Sequence, residues 1–387
     1  MTQTKDLRIG IIGAGNMGTQ HARSIIDGKI ARCRLTAIAD TSEQRRAKFP
    51  DIKGFADSGD LIRSGAVDAV LIATPHYSHT SVGIEALENG LHVLMEKPIS
   101  VHKADCERLI VAHRKNDRQI FGAMFNQRTD PHYRKVRQLV QSGELGSIRR
   151  INWIITNWFR TEAYYASGGW RATWKGEGGG VLLNQCPHQL DLFQWMFGMP
   201  SQVRAFCGFG RYHDIEVEDD VTAYFQYEDG ANAVFIANTG EAPGTNRLEV
   251  IGDRGKLVVE DDRLTFLRNE VSMTQFSRQS DKAFARPPHW VADIPISGHG
   301  GQHNEVLNNF VDAVLDGAEL IAPGVEGIHS VELANAMLLS AFREATIDLP
   351  MDGAEYEAAL QERIKNSTFQ KKAVRESVGD FSKSFNT

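Results

Sequence analysis

Short apolar runs alternate with amphipathic stretches through residue 125. Leu7–Ile12, Leu35–Ala39, Asp68–Ala73, His92–Met95 and Ile120–Phe125 read as buried strands. Gln20–Asp27, Ser42–Lys48, His79–Glu88 and Lys103–Lys115 read as the helices between them. Strand and helix in alternation imply a parallel sheet with helices on both faces. Right-handed crossovers then make that sheet doubly wound. The rhythm changes after about residue 145. Ile148–Thr156 reads as a long strand, followed by Val203–Gly208, Thr222–Tyr227, Ala231–Asn238, Arg247–Ile251 and Lys256–Val259. Turn signals stand at Glu228-Asp229-Gly230 and Gly252-Asp253-Arg254-Gly255. The pattern predicts a large, mostly antiparallel open sheet with helices on one face. Helices over Asn304–Asp316 and Glu326–Ala345 close the globular part, and the polar tail after Pro350 reads as a surface or intersubunit arm.

Composition narrows the class. With 387 residues there is room for two domains, and 42% hydrophobic against 24% charged residues indicates a folded globular chain. A formal net charge of −6 argues against a nucleic-acid surface. No apolar run reaches the roughly 18–20 residues of a membrane span. Met1–Asp6 is short and polar, with no charged-then-apolar leader. Cys33, Cys106, Cys186 and Cys207 form no CxxC pair, so reduced, structural thiols and a cytoplasmic location are expected.

Gly13-Ala14-Gly15-Asn16-Met17-Gly18 matches GxGxxG after a buried strand and at the mouth of a helix. Gly13 permits the tight turn, Gly15 lets the backbone approach a pyrophosphate, and Gly18 allows close helix–strand packing. The free N–H groups of the helix start face the phosphates. Asp40 ends the second strand, where a carboxylate accepts hydrogen bonds from the adenosine ribose hydroxyls and repels a 2′-phosphate. NAD(H) is therefore expected over NADP(H), with Arg45 and Arg46 close enough to soften the preference.

Two further stretches complete a recognisable set. Met95-Glu96-Lys97-Pro98 follows a strand, and Gly178-Gly179-Gly180 leads through Asn184 and Pro187 to His188 and Asp191, then Trp195 and Gly198. Over about residues 7–347 the chain resembles the glucose–fructose oxidoreductase, inositol dehydrogenase and rhizopine catabolism family, Gfo/Idh/MocA. The resemblance implies an NAD-binding Rossmann domain, taken as residues 1–128. It implies a substrate-binding and oligomerisation α+β domain over 129–350, whose last helices pack back on the first, with a polar arm over 351–387. It also implies a homodimer or homotetramer joined through the open sheet, and redox chemistry on a sugar or cyclitol hydroxyl. Lys97 and His188 map onto the residues that flank the reacting carbon. The position four before the histidine is usually aspartate in the family; here it is Asn184.

Alcohol oxidation sends a hydride to the nicotinamide and removes a hydroxyl proton. A histidine suits the proton transfer, and a lysine stabilises developing charge on oxygen. Either residue can be the formal base on sequence grounds. Asn184 can bind a hydroxyl but cannot take a proton. Asp191, on the same helical face as His188, either orients the imidazole or serves as a cap or ion-pair partner. Pro187 fits a first helical turn, placing the helix start near Gln185.

The cofactor-binding candidates are Gly13, Gly15, Asn16, Met17, Gly18, Asp40, Thr74, Pro75, His79, Glu96 and Lys97. The segment 157–175 is rich in Trp, Tyr and Arg and stands just before the glycine triplet. Its aromatic and guanidinium groups suit a sugar's apolar face and hydroxyls. The substrate candidates are Asn126, Trp158, Arg160, Tyr164, Arg171, Trp174, Asn184, His188 and His303. No metal is expected, because His299 and His303 lack a third ligand of diagnostic spacing. The WFRT…GEGGG…NQ-x-PH pattern resembles a branch acting on glycosides, which implies oxidation at the glucose 3-hydroxyl; inositol or a free aldose remains open. An NAD-dependent glycosidase or lyase using transient oxidation is the second reading, and a non-catalytic NAD sensor the third.

Overall fold

The structure, a computed structural model, describes residues 6–296 and 298–371. The expectations for the first five residues and for the end of the tail, 372–387, lie outside the described residues.

The first sheet contains β1 (Leu7–Ile12), β2 (Cys33–Ala39), β3 (Lys53–Phe55), β4 (Ala69–Ile72), β5 (His92–Met95) and β6 (Phe121–Ala123). All its pairs are parallel, in the order β3-β2-β1-β4-β5-β6. That is the doubly wound dinucleotide-binding order, with its switch point between β1 and β4. The crossovers carry α1 (Asn16–Ile26), α2 (Glu43–Arg46), α3 (Ser58–Ile62), α4 (His76–Glu88) and α5 (Lys103–Arg114). The sequence pattern predicts five of these strands and misses β3, whose Lys-Gly-Phe has no apolar run. Nearly every residue of β1, β4 and β5 is buried, as a sheet covered on both faces requires.

The second sheet contains β7 (Ile148–Ile155), β8 (Gln202–Phe209), β9 (Glu218–Gln226), β10 (Asn232–Asn238), β11 (Asn246–Gly252), β12 (Gly255–Glu260), β13 (Arg263–Asn269), β14 (His289–Ile294) and β15 (Ile347–Asp348). Its order is β14-β13-β12-β11-β7-β10-β9-β8-β15, and only β10 and β7 pair parallel. The last three of these strands are additions to the six predicted ones. The helices of this half are α6 (Pro131–Gln141), α7 (Glu162–Ala166), α8 (Pro187–Phe197), α9 (Met273–Gln279), α10 (Gln302–Asp316), α11 (Gly327–Arg343) and α12 (Gly353–Asn366). Alternate strand residues such as Trp153, Phe225, Phe235 and Leu248 face a core shared with Phe193 of α8 and Leu338 of α11.

Two helices join the halves. Val306, Leu307, Phe310 and Val311 of α10 pack with Leu7, Ile9 and Ile11 of β1. Val331 of α11, which packs along α5, joins the core of the first sheet, while Leu333 to Leu339 serve the second core. The tail departs from expectation. Residues 353–366 form α12, capped by Asp352, with Tyr356 and Leu360 fully buried. One turn apart on one face, these two residues dock the helix, with Ala359 and Ile364 packed beside them.

Candidate active site

The loop after β1 is shaped for a dinucleotide. A Cβ on Gly13 would lie 2.6 Å from the Ala73 carbonyl oxygen, and one on Gly18 would collide with the Gly13 carbonyl. Gly15 faces open space, and α1 begins beside it with no side-chain cap. Its first N–H groups, at Asn16 and Met17, are thus left for an anion. Asp40 reaches this loop: Oδ2 accepts from Ala14 N–H at 2.8 Å and Oδ1 from Ser42 N–H at 2.8 Å. Arg45 stands 3.5 Å from Asp40 Oδ2, and Arg46 donates to the Asp40 carbonyl oxygen. Across the switch point, Pro75 precedes α4 and Thr74 Oγ1 is buried with no partner among the described residues. These residues fit the dinucleotide. We expect Asp40→Ala to raise kcat/KM for NADP+ relative to NAD+ by roughly tenfold or more, because it removes a carboxylate facing a 2′-phosphate and releases Arg45. Steady-state kinetics with both cofactors checks this; an unchanged ratio contradicts the placement.

His79 uses both ring nitrogens within the protein, against the carbonyl oxygens of Pro98 and Thr74 at 2.8 Å each. It ties the two loops that frame the site. Glu96 is 6% exposed; Oε1 meets His21 Nε2 at 2.7 Å and Oε2 accepts from Lys97 N–H at 3.2 Å. Burial alone would raise the Glu96 carboxyl, but the His21 hydrogen bond and the nearby His21, His303 and Lys97 bring it down to about 2. His303, at the start of α10, lies 5.6 Å from His21 between ring centroids. Burial lowers it to about 4, helped by His21 and Lys97.

Lys97 Nζ donates to the Asn184 carbonyl oxygen at 2.8 Å. Burial depresses its pKa; Arg171 and Arg160 push the same way, while Glu96 and Glu177 oppose them. His188 lies in the first turn of α8, whose start at Pro187 falls two residues after the expected one. It is 4% exposed, and its Nδ1 has no partner among the described residues. Burial, with Lys97 and His303, holds its pKa well below the usual range. Asp191 does not orient this ring. It takes Arg128 through two bonds, Nε to Oδ2 at 2.7 Å and Nη2 to Oδ1 at 2.6 Å. The ion-pair reading of Asp191 is the one the geometry selects.

The substrate candidates divide. Tyr164 Oη contacts Asn184 Oδ1 at 3.3 Å and accepts from Arg171 Nη1 at 2.8 Å. The Arg160 and Arg171 guanidiniums lie 5.1 and 4.7 Å from the Tyr164 ring centre, and Arg160 also lies 5.3 Å from that of Trp158. Trp158 Nε1 is buried with no partner among the described residues. Asn126 Nδ2 donates to Gln302 at 2.6 Å, leaving its Oδ1 buried and unpartnered among the described residues. Trp174 departs from expectation: its indole is 4% exposed and packs on Phe209 and Phe342 in the core. Only its backbone serves the loop, accepting from Tyr77 Oη at 2.8 Å.

Several residues here escape sequence reasoning. His21 lies three residues after Gly18, so a helical wheel places both on the buried face of α1. Glu177 is 2% exposed immediately before the glycine triplet, and it holds Asn184 and the Ala172 N–H. Lys371, in the tail that reads as an arm, donates to the Gly168 carbonyl at 2.6 Å and the Arg171 carbonyl at 3.2 Å. No local pattern announces that long-range contact.

A glycine loop at the switch point, with the helix after it bonded through His21 to Glu96 beside Lys97, and a histidine from the second half coupled to that lysine, define a two-domain nicotinamide-dependent oxidoreductase. Residues 7–123 match the oxidoreductase family with an NAD-binding Rossmann fold, and residues 133–258 match the GFO/IDH/MocA C-terminal domain. The chain belongs to the Gfo/Idh/MocA family. It is 27% identical over 361 residues to inositol 2-dehydrogenase of Leifsonia xyli, covering 86% of this chain and 92% of the relative. It is 29% identical over 271 residues to myo-inositol 2-dehydrogenase of Thermotoga maritima, covering 67% and 77%. Among solved structures it shares its fold with the WlbA dehydrogenase of Bordetella pertussis in complex with NADH and UDP-GlcNAcA. That match has a TM-score of 0.76 at 24% identity, covering 90% of this chain and 100% of the other. Levoglucosan dehydrogenase in complex with NADH matches with a TM-score of 0.73 at 20% identity, covering 90% and 100%.

Proposed function

We propose that the protein moves a hydride between NAD(H) and a secondary hydroxyl or ketone of a sugar, glycoside or inositol. The observation that carries this reading is Lys97, bonded to Asn184 and electrostatically coupled to His188, next to the Tyr164, Arg160 and Arg171 cluster, with its neighbour Glu96 bonded to His21 of the helix that follows the glycine loop. Such groups suit a neutral polyol, whose ring face packs on aromatics while its hydroxyls pair with amides and guanidiniums. The inositol dehydrogenase names of the relatives support the cyclitol arm of this class.

NAD+, when bound, supplies the hydride acceptor. The chain's own residues then handle the proton. Burial beside Lys97 disfavours the imidazolium of His188, which makes it a poor proton store and a good neutral hydrogen-bond partner. Lys97, depressed from a much higher starting value, is the stronger base of the two. We assign proton removal to Lys97 and orientation of the reacting hydroxyl to His188. Loss of a proton by Lys97 activates it, so kcat/KM for oxidation rises with pH through its depressed pKa. A panel of inositols, aldoses and glucosides with NAD+ tests the class. NADH formation on at least one polyol is expected, and none on any of them would sink the reading.

We also infer that the outward face of the second sheet meets a second copy of the chain. Phe206 and Tyr224 of adjacent strands are 65% and 42% exposed there. Contiguous exposed aromatics on a sheet face mark an interface. Phe206→Asp is expected to lower the mass measured by light scattering toward that of one chain; a wild-type protein already monomeric contradicts the inference.

A further inference from the structure

Glu177 is a buried carboxylate that the proton-transfer scheme above does not use. Its two oxygens are divided between two donors. Oε2 accepts from Ala172 N–H at 2.6 Å, and Oε1 accepts from Asn184 Nδ2. Arg171 Nη1 stands 4.0 Å from Oε1. The partners of Asn184 fix which way its amide points. Tyr164 Oη accepts from Arg171 at 2.8 Å and from Gln185 Nε2 at 3.1 Å, so its own proton goes to Asn184 Oδ1. The amide nitrogen must therefore face an acceptor, and Glu177 is that acceptor. The backbone carbonyl of the same Asn184 receives Lys97 Nζ at 2.8 Å.

We propose that Glu177 is a positioning residue for proton transfer: through Asn184 it fixes the turn that receives Lys97, and its negative charge acts on the Lys97 amine. The inference rests on the assignment of Lys97 as the base. The charges around the pair are mixed. Lys97 faces Glu96, Glu177, Arg160 and Arg171, and it acts on His76, His79, Cys186, His188 and His303. Glu177 faces Arg171 and Lys371, with Glu218 and Tyr165 also in reach. Burial raises the Glu177 carboxyl, while Arg171, Ala172 N–H, Asn184 and Lys371 oppose that rise. In its charged form Glu177 favours the Lys97 ammonium. Removing that charge moves the Lys97 pKa down.

The hydrogen-bond pattern supplies a specific test. In Glu177→Gln, one carboxylate oxygen becomes an NH2 group, so the Ala172 N–H and the Asn184 amide can no longer both be accepted. Adding Asn184→Asp repairs the mismatch: the introduced glutamine side chain accepts from Ala172 N–H and donates to the new carboxylate, which still accepts from Tyr164. The single variant is expected to lose on the order of tenfold or more in kcat/KM, with its acidic limb moved to lower pH. The double variant is expected to recover most of the rate and to bring the limb back up. Carbamoylation of Lys97 by cyanate, followed by peptide mass spectrometry against pH, reports the amine without substrate or cofactor. Its midpoint should fall in the single variant and rise again in the double. An unmoved midpoint in the single variant, or a double variant no faster than the single, overturns the inference. If wild type turns over no polyol, the proposed function fails, while the labelling midpoints still decide the role of Glu177.

Discussion

Replacing Lys97 by alanine is expected to lower kcat on the best polyol by roughly a hundredfold or more, the loss typical of a positioned proton acceptor. NAD+ affinity, measured by quenching of intrinsic fluorescence, should fall far less than kcat, because the glycine loop and Asp40, on separate elements, are untouched. The reason for so large an effect is local. Lys97 is held at Asn184 by a 2.8 Å bond and brought toward neutrality by burial with Arg171 and Arg160 nearby. Neither residue flanking the transfer replaces it. His188 is disfavoured as a proton carrier by its own burial, and Asn184 cannot accept a proton. His188→Ala should cost a similar factor, through misorientation of the hydroxyl. A Lys97→Ala enzyme with wild-type turnover would remove the lysine from the mechanism.

The second large effect is on stability. Arg128 is 1% exposed and pairs with Asp191, which is 0% exposed. It also donates to Glu326 at 2.6 Å and to the Ile321 carbonyl at 3.2 Å, linking the segment after β6 to α8 and to the approach of α11. Arg128→Met leaves the Asp191 carboxylate buried without its counterion, at a cost of about 3–5 kcal/mol. Glu326, 40% exposed on its side chain, contributes little to that figure because water screens it. Pairing Arg128→Met with Asp191→Leu should recover much of the loss, since no buried charge is then left unpaired and the half-exposed Glu326 carboxylate is solvated. Urea unfolding of wild type, the single variant and the double variant distinguishes the cases. A single variant as stable as wild type would mean that the pair carries no net weight.

The sequence was most legible where one local pattern had one physical cause. Runs such as Leu7–Ile12 and His92–Met95 must be strands buried on both faces, and they are. The glycine loop announced itself because Gly13 and Gly18 occupy places where a Cβ would strike backbone. Three-residue β3 stayed hidden, since pairing with β2 and not apolar content makes it a strand. The tail misled because the apolar face of α12 is narrow: Tyr356 and Leu360 are its only large buried side chains, interspersed with Glu, Gln, Arg and Lys. At the site, motif context singles out Lys97 and His188, and the structure puts both in buried surroundings with depressed pKa values. The pairing of Asp191 with Arg128 was not legible, because its partner lies 63 residues away in sequence. Trp174 was misplaced for a related reason: an aromatic in a pocket-lining segment can turn either inward or outward, and Phe209 and Phe342 decide which.

The same residues would also serve an enzyme that oxidises a glycoside transiently, cleaves it and returns the hydride, so stoichiometry is decisive. With a glycoside or inositol as substrate, ketone and NADH are measured together over the first turnovers and at steady state. One NADH for each ketone formed is expected of an NAD-dependent dehydrogenase. Cleaved substrate accumulating over many turnovers with no net NADH would contradict it.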